Sequence, residues 1–249
     1  MKTEWDYINL SEAYFERPDY SASAVSSLID VASKYQKITV CDFGVGVAHL
    51  TLMKGKGAHK VTASEPNDEM RRIGKKRTNN FNDASWVQGS GEKTGLPENP
   101  FGTATFESSF NAYNRLSALN NVAQILNPKC WFSCMWNLRN LFDPIQAKIK
   151  KFIKYHIKGY GYGTPREEQS KVIDKSELFP PTIYPSSDIV HRQPIEKCLK
   201  AWGTHATLTQ QAGSKFNDIL ISIQQIFSEL SQDIIEISLT TKIWIVQLR

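Results

Sequence analysis

The sequence predicts an α/β protein built on a mostly parallel sheet, and three observations carry that prediction. Short apolar runs alternate with amphipathic stretches, so that strand and helix follow each other at the pace of βαβ crossovers. A glycine-rich turn, Gly44-Val45-Gly46, stands between the first such run and the next helix. An acid, Glu65, closes the second run.

The elements follow in order. SASAVSSLIDVASKYQ places Ala24, Leu28 and Val31 at three- and four-residue spacing, which is a helix. KITVCDFG reads as a buried parallel strand, and Val47 to Lys56 as the helix after it. HKVTASEP is the second strand, and NDEMRRIGKKRT a helix that Asn67 or Asp68 can cap. DASWVQGS and GTATFESSF are strands three and four, with turn chemistry in TGLPENPFG between them. RLSALNNVAQIL is an amphipathic helix stopped by Asn127-Pro128, and CWFSCMWN is the fifth strand. From Leu138 to about Gly213 the chain turns basic, aromatic and proline-punctuated, which reads as insertion and lid material. SKFNDILISIQQIFSEL and IIEISLTTKIWIVQL then supply one helix and one or two closing strands.

Composition narrows the class. With 249 residues, 41% of them hydrophobic and 11% aromatic, the chain suits one globular domain with a full core. No apolar run approaches the roughly 18 residues of a spanning helix. The start, MKTEWDYINLSEAY, is acidic and aromatic where a signal peptide is basic and then apolar, so a cytoplasmic protein is expected. Cys41, Cys130 and Cys134 lie in strand-like runs and Cys198 in a helix; they read as buried thiols, with no metal site. A net charge of +5 permits an acidic substrate or nucleic acid without choosing either.

The glycine turn lets backbone pass close to a ligand lying across the strand ends. A dinucleotide fingerprint wants a third glycine where His49 stands, so a nicotinamide cofactor is not expected. Glu65, 21 residues after Gly44, offers two acceptor oxygens to the two hydroxyls of a ribose.

On these residues a family resemblance rests. CDFGVGVAHLT resembles the first motif of class I methyltransferases, and ASEPNDEM the second, with Glu65 as its acid. GSGEKTGLPENPFGTATFESSFNAYN is similar to the third and fourth. ERPDY, MWNLRNLFDP and TTKIWIVQL resemble segments of the type 11 group of small-molecule methyltransferases. The resemblance implies a Rossmann-like fold: a seven-stranded, mostly parallel sheet with an antiparallel last strand and a helical lid. It implies S-adenosyl-L-methionine as cofactor, with Asp42, Gly44, Gly46 and Ala48 at its methionine part. Glu65 and Pro66 would meet the ribose, Ser90, Gly91 and Glu92 would lie by the adenine, and Phe110 near the reacting methyl. Ala48 departs from the family's usual glycine, and SSFN ends the fourth strand without the acid that many relatives carry there. One domain over 1–249 is expected: an N-terminal helical cover (1–35), a cofactor-binding core (36–137), an insertion or lid (138–213), and a closing helix and strands (214–249).

Transfer from a sulfonium is an in-line displacement, for which the enzyme mainly supplies alignment. An acceptor without a free lone pair also needs a base. His191 and Tyr113 are the catalytic candidates, with His205 and His156 on helices and His49 behind the glycine turn. Tyr14, Tyr20, Asn111 and Trp136 are candidate acceptor residues. Arg17 suits an acidic acceptor, or equally a tie between the N-terminal segment and the body. Lys148, Lys150, Lys151, Lys154 and Lys158 flank an apolar stripe of Ile149, Phe152, Ile153 and Ile157, which reads as a solvated outer helix face, with a patch attracting phosphate or carboxylate substrates as the alternative. GYGYG after it suits a mobile lid. The expected partner is a small molecule, with no membrane; methylation of RNA and a non-catalytic binding role are the alternatives.

Overall fold

The computed structural model describes residues 11–33, 39–49, 51, 60–98, 101–161, 167–180 and 185–249. Most of the helix expected from Val47 to Lys56, and the end of GYGYG, lie outside the described residues. Among the described residues no helix is long and apolar enough to cross a membrane, and no cluster of side chains is suited to a metal ion.

Seven strands form one sheet: β1 (Thr39–Phe43), β2 (Lys60–Ser64), β3 (Ala84–Val87), β4 (Phe101–Glu107), β5 (Leu126–Arg139), β6 (Ser186–Pro194) and β7 (Ile234–Gln247). Their order is β3-β2-β1-β4-β5-β7-β6. The first five pair in parallel, while β7 runs antiparallel to both β5 and β6. This is the expected Rossmann-like α/β sheet. The strand order reverses beside β1, so the carboxyl ends of β1 and β4 border the crevice where such sheets take ligands.

Local chemistry accounts for most element boundaries. Asn67 caps the helix Asp68–Arg77, its side-chain oxygen accepting from the amides of Glu69 and Met70. The helix Arg115–Ile125 stops at Leu126, which already pairs with Phe101. Asn127, Pro128 and Lys129 then bulge, Lys129 with φ of 62°, before Trp131 joins Thr103. The fifth strand therefore begins earlier than CWFSCMWN.

One expectation needs correction. The segment 138–213, read as insertion and lid, contains β6. This strand lies at the sheet's edge, and alternate residues along most of it are exposed, so it shows no buried apolar run. The same segment holds the helices Pro144–His156, Ser170–Lys175, Ile195–Gly203 and Ala206–Ala212.

Both faces of the sheet are covered. On one, Phe43 stacks on Phe106 at 4.8 Å, and Phe110 and Phe132 pack edge-on against Phe106. On the other, Ala24, Val25 and Leu28 of the helix Ala22–Ser33 meet Met135, Ile243 and Ile245. Ile149 and Ile153 anchor the lysine-bearing helix to Ile219, Ile223 and Ile237. Burying such side chains stabilises by about 1.5–3 kcal/mol each. Lys148, Lys151 and Lys154 on that helix are exposed, Lys148 pairing with Glu229, whereas Lys150 is half-buried.

Candidate active site

The first strand ends in a turn whose backbone is left-handed at Gly44 (φ 59°), Gly46 (φ 52°) and Ala48 (φ 71°). The Gly44 amide donates to the Ser64 carbonyl at 2.8 Å, tying the turn to the end of β2. Ala48 adopts a conformation that costs an L-residue about 1–2 kcal/mol. Asp42 lies beneath, fully buried, accepting from Thr105 Oγ1 at 2.6 Å and Thr51 Oγ1 at 2.9 Å. Its carboxylate thus braces the turn against β4 from below, where the resemblance had implied contact with a ligand.

Glu65 follows β2 and is buried beside the turn. Its Oε2 accepts from the Gly46 amide and its Oε1 from the Asn67 amide, both at 2.8 Å. Burial raises its pKa, and these two hydrogen bonds and the Arg71 guanidinium oppose the rise. Pro66, also buried, leads into the capped helix.

The segment after β3 closes the far side. Ser90 Oγ accepts from the Lys93 amide, and exposed Glu92 accepts from the Asn114 amide. Tyr113 bridges this segment and the glycine turn. A Cβ on Gly91 would fall 2.9 Å from Tyr113 Cδ2, and one on Gly44 would fall 3.0 Å from the Tyr113 hydroxyl and 2.6 Å from Ser109 Cβ. Glycine at 44 is thus a steric requirement as well as a conformational one. Among the described residues, a Cβ on Gly46 would meet the Tyr14 ring edge, at 3.6 Å.

Next to the turn opens a cleft of about 250 Å³ over the ends of β4 and β5. The N-terminal segment is strapped across it: Asn137 Nδ2 donates to the Pro18 and Asp19 carbonyls, and the Ser21 amide to Thr241 Oγ1. Tyr14, Arg17, Tyr20, Asn111 and Trp136, the five expected acceptor residues, all line it. Arg17 also ties the cover to the body through Thr204, as one of its two readings expects. Tyr20 donates to or accepts from Ser108 Oγ at 2.8 Å, and burial pushes its pKa well above the usual range. Ser108 itself has φ of 49°, a strained backbone at the strand end. Phe110 sits in a 3-10 turn that rotates its ring into the core, fully buried. Glu107, Ser108 and Asn111 face the cleft around it.

The histidines divide. His191 stands on β6, its imidazole against Gln193 at 3.0 Å, and does not line the cleft. His49 and His205 do. His49 Nδ1 meets Asp19 Oδ1 at 2.9 Å, a contact that lowers the Asp19 pKa. The wall residues that the sequence reading passed over include Glu107, Arg139 and Trp202. Glu107 alone had a signal, as the acid ending β4 one residue before SSFN.

Residues 41–134 match the family model of a methyltransferase domain. Among curated proteins none matches the chain. Several solved structures share its fold. A protein of Anaeromyxobacter dehalogenans, proposed to be a type II methyltransferase, has a TM-score of 0.65 at 17% identity, over 94% of this chain and 97% of that one. YcgJ of Bacillus subtilis has a TM-score of 0.56 at 13% identity, over 92% and 99%. Geranyl diphosphate C-methyltransferase of Streptomyces coelicolor, solved with Mg2+, geranyl diphosphate and S-adenosyl-L-homocysteine, has a TM-score of 0.51 at 12% identity, over 92% and 79%.

Proposed function

We infer that this class I S-adenosylmethionine-dependent methyltransferase methylates an O, N or C centre of a small molecule seated in the cleft. The observation that carries the reading is continuity: Ser108 lines the cleft while its neighbour Ser109 lies against Gly44 in the glycine turn. A cofactor on the turn and an acceptor in the cleft would meet there.

The residues present fit the cofactor. Three left-handed positions shape the turn, and the space over Gly46 is bounded by an aromatic ring, a surface that suits a sulfonium. Glu65 has a second lone pair on each oxygen, so it can accept a ribose diol while keeping its backbone partners. Ser90, Gly91 and Glu92, in the segment after β3, are the residues we assign to the adenine. When bound, the cofactor supplies an electrophilic methyl on a good leaving group.

The chain's own work is orientation and proton management. Tyr113, between Gly44 and Gly91, walls the cofactor side and contributes position in place of acid–base chemistry. His49, oriented by Asp19, and Glu107 flank the floor of the cleft and take the proton when the acceptor must lose one. The free cysteines, three of them buried, agree with a reducing compartment such as the cytoplasm.

The test is turnover. Incubated with S-adenosylmethionine and a panel of small nucleophiles, the chain should release S-adenosylhomocysteine with at least one of them. Release with structured RNA alone would replace this reading with the nucleic-acid one.

A further inference from the structure

One edge of the sheet is open and complementary to itself. Among the described residues, β6 is an outermost strand that pairs with β7 alone. The Ile243 amide donates to the Pro185 carbonyl, and the Ile195 amide to the Asp233 carbonyl. Both bonds continue the β6–β7 register, so the odd-numbered residues between them turn their backbone groups toward β7. Asp188, Val190 and Arg192 therefore aim their N–H and C=O groups away from the sheet.

The side chains of the same three residues stand clear of the core. Val190 is 56% exposed and the Arg192 side chain 73%. Asp188 is exposed as well, and its carboxylate accepts from Thr240 Oγ1 at 2.6 Å without a cation beside it among the described residues. Arg192 donates through Nε to Glu236 Oε1 at 2.7 Å, and its second contact to that oxygen uses Nη2, so Nη1 is left over. That pair is exposed on both sides, where an ion pair adds little by itself.

An unpaired edge is a template for another strand. The order acid, apolar, base at alternate positions selects which strand. When a second β6 runs antiparallel about a two-fold axis at Val190, Asp188 stands opposite the partner's Arg192 and Arg192 opposite the partner's Asp188. The two valines meet on the axis. All of these positions bond outward, so charge pairing and hydrogen-bond parity call for the same register. A shift of two residues either way loses both ion pairs, and a shift of one sets outward groups against inward ones. Pro194, which has no N–H, ends the ladder.

We propose that two copies of this chain pair through β6 in that register, joining their sheets into one. The interface is a single pair of strands, so the dimer is weak and forms at high concentration.

The test weighs the full chain by sedimentation equilibrium from about 1 to about 200 μM. The parent's average mass should rise from that of one chain toward that of two. Val190→Lys puts like charges on the two-fold axis and should hold the chain at one copy, with its melting temperature near that of the dilute parent. Asp188→Arg sets arginine against arginine, and Arg192→Asp sets acid against acid, so each alone should raise the dissociation constant about tenfold or more. Mixed in equal amounts, those two variants should form a heterodimer about as tight as the parent, because both opposite-charge pairs return. A parent that stays at one copy throughout, a dimer that survives Val190→Lys, or charge variants that gain nothing on mixing overturns the proposal.

Discussion

The backbone amide of Gly46 donates to Glu65 Oε2 at 2.8 Å. The second glycine of the turn and the acid ending β2 therefore hold each other in place. The other carboxylate oxygen holds the Asn67 amide, and Asn67 in turn caps the helix Asp68–Arg77. One side chain thus fixes the turn and the helix start.

Replacing that side chain has two separable effects. Glu65→Ala should weaken S-adenosylhomocysteine binding by about 1.5–3 kcal/mol, and should lower stability by about 1–3 kcal/mol because two amides lose their acceptor. Calorimetry and denaturant unfolding measure the two. Unchanged affinity in a folded variant removes the ribose assignment.

The two glycines of the turn should respond differently to a methyl group. Gly44→Ala drives a Cβ to 2.6 Å from Ser109 Cβ in addition to straining φ, whereas Gly46→Ala makes an ordinary contact with the Tyr14 ring at 3.6 Å and mainly strains φ. Gly46→Ala should cost about 1 kcal/mol of stability and Gly44→Ala about 1–3 kcal/mol more. Equal losses in chemical denaturation would contradict the packing around Gly44. Ala48→Gly relieves a left-handed φ and should bind cofactor as well as the parent or better.

His205 should make the protein acid-sensitive. Its folded pKa, about 3, lies below the ordinary value of 6.5, so folding favours the neutral ring. That contribution is complete above about pH 6.5 and is lost as pH falls toward 3. His205→Asn keeps a helix-capping side chain and should flatten the decline in melting temperature between about pH 6.5 and about pH 4. Parallel curves for parent and variant would show that this ring titrates normally.

Catalysis should follow the cleft and not the sequence position first favoured. His49→Asn should lower kcat by about 10²-fold or more with cofactor affinity intact, the scale of a general base. His191→Asn, altered on the edge strand, should leave the rate within about twofold. Tyr113→Phe keeps the wall between Gly44 and Gly91 and should retain most of the rate. A strong loss in Tyr113→Phe alone would move the proton transfer to that hydroxyl.

Much of this was legible in the chain. Strands β1, β2 and β4 are mostly buried, and Gly44, Gly46 and Glu65 announce the crevice by spacing. Tyr14, Arg17, Tyr20, Asn111 and Trp136 were readable from strand ends and the cover, and all line the cleft. Other features were not. The edge strand β6 alternates exposed polar residues and hides among prolines. Phe110 follows a strand end, but the 3-10 turn rotates it inward. Arg139, Trp202 and His205 meet only because β5 and the helices after β6 converge, a long-range contact that no local pattern encodes.

The most direct test of the central claim is a calorimetric titration of the parent and of Gly46→Val with S-adenosylhomocysteine and with NAD. A valine at position 46 places a branched side chain on a left-handed φ, where we propose that the cofactor meets the backbone. The parent should bind S-adenosylhomocysteine and not NAD, and the folded variant should bind neither. A parent that binds NAD but not S-adenosylhomocysteine, or a variant that binds S-adenosylhomocysteine like the parent, would contradict the assignment of the glycine turn.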